Sequence, residues 1–246
     1  LWAVGNFGLV LKWDGLSWSE ERQGPISSLL GVWGTGKEDI WTVGDGGEIL
    51  NWNGQTWVAK PGDTRQLLRG IWGSSASQIW AVGNQGTILR WNGNAWKSQN
   101  TVATANLNSV WGSDFNNVWA AGDDGAILKW NGSSWNAQAS GTANAINAVW
   151  GSDANNVWAV GENGTILFWN GSTWNSQNSG VTARLHSVWG SDTNNVWAVG
   201  ENGAILKFNG SAWNTENSVT AESLVDIRGN DASNIWAIGF EGAVLN

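Results

Sequence analysis

Residues 158–174 read WAVGENGTILFWNGSTW, and this stretch decides the fold because it returns along the whole chain. Its first tryptophan recurs every 39 residues, at Trp2, Trp41, Trp80, Trp119, Trp158, Trp197 and Trp236. Three further tryptophan series keep the same spacing, and the four series together account for all 23 tryptophans. Self-similarity at a fixed period of this length is typical of repeat architectures.

Within one period the sequence predicts four short strands, as residues 106–138 illustrate. The segments NLNSVWG, VWAAG, AILKW and WNAQAS are rich in β-favouring residues, and they are separated by the turns SDFNN, DDG and NGSS. In the equivalent turn ENG at 162–164, Asn-Gly is the strongest short-range hairpin signal. Apolar residues alternate or run in short blocks between glycines, which favours strands over helices.

Four antiparallel strands per 39-residue repeat predict an all-β chain with the fold of a β-propeller. The chain spans six periods plus twelve residues, so residues 1–12 and 235–246 hold the same phase of the repeat. In a closed ring of six blades both segments would compete for one place, whereas a ring of seven lacks roughly two strands. We therefore predict seven blades, with six blades, or an open or intermolecularly closed array, as the alternatives.

We predict one propeller domain over residues 1–246. It begins with a partial blade at 1–25 and ends with a partial blade at 221–246. The full repeats between them lie at about 26–64, 65–103, 104–142, 143–181 and 182–220.

Composition excludes several classes of partner. Charged residues make up 13% of the chain and the formal net charge is −8, which argues against a surface that follows nucleic acid phosphates. No apolar run approaches the roughly 18 residues of a membrane helix, so no membrane insertion is expected. The absence of cysteine excludes disulfides and thiolate metal sites.

The motif VWAVGENGTIL, followed by a turn and a tryptophan, resembles the repeats of photosystem II stability and assembly factor-like propellers. These belong with the wider Asp-box (BNR, sialidase-type) repeat families. Gly171 and Trp174 match the glycine and the final aromatic of an Asp-box, while Trp169 and Leu167 replace its Asp and its Ser/Thr.

The resemblance implies a propeller of the kind found in secreted bacterial proteins, and hence an extracellular or cell-surface location. It does not imply that this chain has a role in assembling chlorophyll proteins. It does not carry over sialidase catalysis either, because that site needs a tyrosine nucleophile and this chain has no tyrosine.

Acidic residues recur in the turns between second and third strands. A ring of such carboxylates could bind cations or a basic partner, and ordinary solvated turns are the alternative. The ligand-binding candidates are Asp123, Glu162 and Glu201, and the same turns carry Asp45, Asp124 and Glu241.

The turns between first and second strands carry Asp114, Asp153 and Asp192. Their oxygens, with those of neighbouring asparagines, could coordinate Ca²⁺, which takes about six to eight oxygen ligands. The alternative is that each aspartate caps its own turn by accepting backbone N–H bonds. No other cofactor is predicted.

Four tryptophans on the fourth strand are candidates for exposed sugar-binding platforms, namely Trp96, Trp135, Trp174 and Trp213. The alternative is packing between blades. His186, the one histidine of the chain, has no cysteine or second histidine with which to form a catalytic dyad, so a noncatalytic role is predicted.

The leading hypothesis is a noncatalytic scaffold or protein-interaction module, part of a larger secreted or surface bacterial protein. Catalysis needs different roles on different blades, whereas these residue types repeat. One alternative is a multivalent lectin with one glycan pocket per blade. A second is a self-assembling unit that pairs through exposed blade edges. A third, an enzyme that uses the central channel, is disfavoured because the chain has one histidine, no cysteine and no tyrosine.

Overall fold

The computed structural model describes residues 1–21 and 27–246. Over these residues the chain forms 26 strands in seven antiparallel sheets, which we number 1 to 7 in chain order. A 3₁₀ turn joins the second and third repeat strands of every described sheet. The described part of the chain contains no α-helix, and hence none long and apolar enough to cross a membrane.

The strands of the first four sheets follow the repeat. Sheet 1 contains β1 (Trp2–Val4), β2 (Val10–Trp13) and β3 (Trp18–Glu20), and sheet 2 contains β4 (Leu29–Gly36), β5 (Asp39–Gly44), β6 (Ile49–Trp52) and β7 (Trp57–Ala59). Sheet 3 contains β8 (Leu68–Ser75), β9 (Gln78–Gly83), β10 (Ile88–Trp91) and β11 (Trp96–Ser98), and sheet 4 contains β12 (Leu107–Asp114), β13 (Asn117–Gly122), β14 (Ile127–Trp130) and β15 (Trp135–Gln138).

The last three sheets keep the same strand order. Sheet 5 contains β16 (Ile146–Asp153), β17 (Asn156–Gly161), β18 (Ile166–Trp169) and β19 (Trp174–Gln177). Sheet 6 contains β20 (Leu185–Asp192), β21 (Asn195–Gly200), β22 (Ile205–Phe208) and β23 (Trp213–Thr215), and sheet 7 contains β24 (Leu224–Asp231), β25 (Asn234–Gly239) and β26 (Val244–Leu245).

These sheets confirm an all-β chain of four-stranded antiparallel blades, three-stranded in sheets 1 and 7. Seven blades are confirmed, and the six-blade alternative is wrong. The prediction of one domain over 1–246 stays a prediction. Its boundary between 25 and 26 lies outside the described residues.

Strand alternation gives every sheet two apolar faces. In sheet 5, Trp158, Val160 and Ile166 pack against sheet 6, and we call this side the forward face. The opposite side, the rear face, packs against sheet 4 through Val157, Ala159, Leu167, Trp169 and Trp174. A sheet with two apolar faces is stable only between neighbours, so the repeat has to be stacked.

Contacts divide the chain into two compact units, which are Leu1–Val110 with Ser133–Trp135, and Trp111–Gly132 with Asn136–Asn246. In the first unit, the forward face of sheet 1 packs on sheet 2, and that of sheet 2 packs on sheet 3. In the second unit the same junction joins sheet 4 to 5, sheet 5 to 6, and sheet 6 to 7.

Four of these junctions, those of sheet 2 with 3, 4 with 5, 5 with 6 and 6 with 7, also place a first-strand tryptophan over a glycine of the next repeat. A Cβ added to Gly190 would lie 2.6 Å from Cη2 of Trp150 and 2.7 Å from the carbonyl oxygen of Asn195. The ring centroids of Trp150 and Trp189 are 6.4 Å apart. The glycine at this position is therefore a packing requirement, since any side chain would displace the indole.

Candidate functional site

The 3₁₀ turns form rigid platforms, as the turn Glu162–Gly164 shows. Its ends are closed by the bonds from Gly161 N to Thr165 O and from Thr165 N to Glu162 O, both 3.0 Å. The Glu162 amide donates to Ala145 O and the Gly164 amide to Ala183 O, both at 2.9 Å. The turn is thus bound to segments on either side, and its exposed side chains start from a fixed backbone.

The acidic residues lie in the turns between second and third repeat strands, as the sequence predicts. Asp45, Asp124 and Glu241 are exposed, whereas Asp123, Glu162 and Glu201 are half-buried. Their binding of a cation or a basic partner stays a prediction.

A polar cluster in the second unit, which we call the Arg184 cluster, lies beside the turns of sheets 5 and 6. It comprises Asn147, Glu162, Arg184, His186 and Glu201. Nη2 of Arg184 donates to Oδ1 of Asn147 at 3.0 Å and lies 3.7 Å from Oε1 of Glu162. Nδ2 of Asn147 donates in turn to the carbonyl of Leu185 at 2.8 Å. These bonds cross from sheet 5 to sheet 6 and hold the guanidinium in place.

His186, a titratable member of the Arg184 cluster, has a lowered pKa. Burial lowers the pKa of its imidazole, the charge of Arg184 lowers it further, and the charge of Glu201 acts in the opposite direction. The ring is therefore neutral near pH 7 and presents one donor and one acceptor nitrogen. Among the described residues no donor hydrogen-bonds the carboxylate of Glu201.

Glu162 and Glu201 of the Arg184 cluster recur with the repeat, whereas Arg184 and His186 do not, and the sequence analysis did not predict that these residues meet. At the position of His186 the other first strands carry Leu30, Arg69, Asn108, Asn147 and Val225. Aligning the repeats position by position would have revealed this variable site inside otherwise near-identical strands. Variation there contrasts with the constant tryptophans and glycines, which serve packing.

An open groove of about 610 Å³ adjoins the Arg184 cluster. Glu201 belongs to both the cluster and the groove wall, which continues through the loop between sheets 5 and 6. The lining residues are Asn178, Gly180, Val181, Thr182, Ala183, Glu201 and Asn202. The groove wall contributes the carboxylate of Glu201, and the Arg184 cluster beside it contributes the imidazole of His186.

The predicted exposure of the four fourth-strand tryptophans is wrong. Trp96, Trp135, Trp174 and Trp213 are each at most 8% exposed. The reason is register, because Trp174 lies directly across from Trp169 and therefore shares the rear face that packs on the preceding sheet. A sugar could reach these rings only if that sheet moved away. Their role in ligand binding is otherwise untested.

Asp114, Asp153 and Asp192 hold their own turns. Oδ1 of Asp153 accepts the backbone N–H groups of Asn155 at 2.8 Å and Asn156 at 3.1 Å, and Oδ2 accepts Nδ2 of Asn156 at 2.9 Å. Among residues 1–21 and 27–246, no three His, Asp or Glu side chains are grouped to hold a metal ion. These contacts match the turn-capping alternative, and calcium binding at these aspartates stays a prediction.

These turn bonds predict a loss of stability in acid. The amide of Asn194 and the side chain of Asn195 hold the pKa of Asp192 below its usual value, and bonds from Ser17 and Leu16 do the same for Asp14. A lowered folded-state pKa stabilises the fold above the unfolded value near 3.8, and that contribution is lost as pH falls through the folded value. We expect the midpoint of thermal unfolding to fall steeply below about pH 4.

The measurement is a series of thermal melts from pH 7 to pH 2. Asp192→Asn keeps the Oδ1 acceptor and removes the titrating group, so its melts should change less with pH than those of the wild type. If the melting temperature of Asp192→Asn depends on pH as that of the wild type does, then Asp192 does not contribute to the loss of stability in acid.

Sheets of this order, stacked forward face on rear face, define a seven-bladed β-propeller. No family model matches the chain, and no curated protein sequence matches it. Several solved structures are similar to the chain. YCF48 bound to a D1 peptide aligns with a TM-score of 0.80 at 18% identity, over 99% of this chain and 87% of that one. YCF48 from Cyanidioschyzon merolae aligns at 0.76 and 20% identity, over 99% and 89%.

Propellers of another group align equally well. The WD40 repeats of RRP9 give a TM-score of 0.82 at 12% identity over 97% of this chain and 83% of that one. The WD40 propeller of Doa1 gives 0.78 at 14% identity over 99% and 86%. At these identities the similarity establishes the fold, and the resemblance to photosystem II assembly-factor propellers is confirmed at that level.

Proposed function

We propose that this chain is a noncatalytic protein-interaction module that binds a peptide segment of its partner at the Arg184 cluster and the adjoining groove. The observation that carries this proposal is the cluster itself. There Arg184 and His186, which depart from the repeat, lie beside an open groove whose wall includes Glu201. Binding sites on repeat scaffolds are built from residues that vary between repeats, because the constant residues are committed to packing.

The chemistry of the surface suits an extended peptide. Glu201 can accept from a peptide amide or a cationic side chain, and the neutral ring of His186 can both donate and accept. Arg184 is already engaged with Asn147 and Glu162, so it fixes these partners rather than standing free. The YCF48 structure was solved with a D1 peptide, which supports peptide binding as a use of this fold.

No observation favours the glycan-binding alternative, because the four tryptophans on which it rested are buried. Noncatalytic character is part of the proposal, and it agrees with the WD40 propellers among the structural neighbours. Secretion or surface display, inferred from the repeat resemblance, is proposed with it.

The test begins with selection of binding peptides from a displayed random 15-residue library against the intact 246-residue chain. The affinity of a selected peptide is then measured by calorimetry with wild type, Glu201→Ala and His186→Ala. Losing one buried hydrogen bond costs about 1–3 kcal/mol, so we expect each variant to bind at least about fivefold more weakly.

Ser191→Ala is the matched control, because Ser191 is an exposed residue at the opposite end of β20. It should leave the affinity unchanged. Selected peptides that bind all three variants as tightly as wild type would refute the proposed site, and a library that yields no binder would refute peptide binding altogether.

A further inference from the structure

A side-chain amide joins the 3₁₀ turn of sheet 5 to the loop that enters this sheet. Nδ2 of Asn163, in the turn, donates to Oδ1 of Asn144, in the loop, at 3.2 Å. Nδ2 of Asn144 donates in turn to Oγ1 of Thr165 at 2.8 Å, and its backbone N–H donates to Oγ1 of Thr142 at 3.0 Å. We call this contact between a loop carboxamide and a turn carboxamide the amide bridge.

Sheet 3, in the first unit, has the same amide bridge two periods earlier in the sequence. Nε2 of Gln66 donates to Oε1 of Gln85 at 2.9 Å, and the backbone N–H of Gln66 donates to Oγ1 of Thr64 at 3.0 Å. Glutamine therefore does in sheet 3 what asparagine does in sheet 5. What the two bridges share is the carboxamide group, which supplies both a donor and an acceptor.

Sheet 6 lacks the loop half of the amide bridge. The next-repeat counterparts of Thr142, Asn144 and Thr165 are apolar, namely Val181, Ala183 and Ala204. Asn202, the counterpart of Asn163, keeps the turn carboxamide. The groove of about 610 Å³ lies at this place, since Val181, Ala183 and Asn202 all line it. The groove is thus open where the equivalent space of sheet 5 is crossed by a side chain.

Two polar groups in the groove have lost their partners with the bridge. Within the part of the chain that the structure describes, neither the backbone N–H of half-buried Ala183 nor the side-chain amide of Asn202 has a hydrogen-bond partner. A ligand that bonds these groups gains hydrogen bonds without breaking any within the protein. Glu201, in the same wall, adds a carboxylate that accepts N–H donors and repels a second carboxylate.

We propose that the groove binds an asparagine or glutamine side chain of the partner peptide, which restores the amide bridge from outside. The oxygen of the incoming carboxamide has the N–H of Ala183 as a donor, and its NH₂ group has Oδ1 of Asn202 and the Glu201 carboxylate as acceptors. The inference rests on the peptide binding proposed above, and it assigns the side chain by which the peptide is recognised.

The peptides selected from the 15-residue library give the first test. They should share an asparagine or glutamine at one position. Replacing that residue of the peptide by leucine removes its donor and acceptor, so binding measured by calorimetry should weaken at least about fivefold. Replacing it by the corresponding acid should weaken binding at least about tenfold, because the new carboxylate also meets Glu201.

Filling the groove from inside the protein gives the second test. The double variant Ala183→Asn with Ala204→Thr gives sheet 6 the bridge residues of sheet 5, so Asn202 should bond within the chain. Peptide binding should weaken at least about tenfold, while the midpoint of thermal unfolding stays at or above that of wild type. Ala204→Thr alone is the matched control, since it adds the hydroxyl without the carboxamide, and it should bind peptide as wild type does.

The outcomes separate this inference from the function on which it rests. Selected peptides without a common asparagine or glutamine, or with affinity unchanged by leucine at that position, would overturn the carboxamide assignment even if Glu201→Ala and His186→Ala weaken binding. A filled groove that binds as wild type does would overturn it too. Peptides that need the carboxamide but tolerate His186→Ala would support the assignment and refute the extension of the site to His186. A library without binders would overturn both.

Discussion

Replacing Trp158 by alanine is expected to lower the free energy of unfolding by about 3–5 kcal/mol. Trp158 is 1% exposed, and its ring centroid lies 4.8 Å from that of Phe168 and 5.8 Å from that of Trp150. Removing the indole leaves a cavity between sheets 5 and 6, where strands on both sides prevent collapse. Urea unfolding followed by circular dichroism gives the measurement.

Trp236→Ala is the matched control, because Trp236 occupies the same repeat position and is 39% exposed. It should lose less than about 1 kcal/mol of unfolding free energy. If Trp158→Ala and Trp236→Ala lose the same unfolding free energy, burial between sheets is not what makes Trp158 stabilising.

Gly164→Ala is expected to cost about 2–5 kcal/mol, from left-handed strain together with a steric clash. Gly164 has φ +64°, and a Cβ there would overlap the Val181 carbonyl oxygen and lie 2.9 Å from Oγ of Ser179. Both neighbours belong to the loop that lines the groove, so we also expect weaker peptide binding. Chemical denaturation and the calorimetric assay measure the two effects.

Gly180→Ala separates strain from clash. Gly180 has φ +73°, but a Cβ there would meet no atom within 4 Å. This variant should lose about 1–2 kcal/mol, the cost of the left-handed backbone alone. If Gly180→Ala is as damaging as Gly164→Ala, the contact with Val181 contributes nothing.

The 39-residue repeat predicts most of the fold. Its period, the four strands and the turns were readable because glycine and asparagine mark every reversal and β-favouring residues fill the intervals. The strand assigned to NLNSVWG extends to Asp114, two residues beyond the expected Gly112, because the hairpin with β13 continues to that point. The preference for seven blades followed from the phase of the two ends.

The candidate site was harder to predict, for two physical reasons. Periodicity shows that Trp174 alternates with its neighbours but does not say which face is covered. The cross-strand pairing with Trp169 decides that, and it depends on the length of the turn between them. Arg184 and Asn147 are 37 residues apart in sequence and meet because adjacent sheets stack, which no local pattern shows.

The tryptophan that covers a glycine of the next repeat has a consequence for how such a chain can grow. Trp33 with Gly73, Trp111 with Gly151, Trp150 with Gly190 and Trp189 with Gly229 keep one constant sequence offset. A tandem duplication of one 39-residue unit would therefore supply a new indole together with the bare backbone on which it rests. Lengthening the array in this way needs no compensating substitution. By contrast, replacing one of these glycines requires a change at the tryptophan of the preceding repeat that covers it.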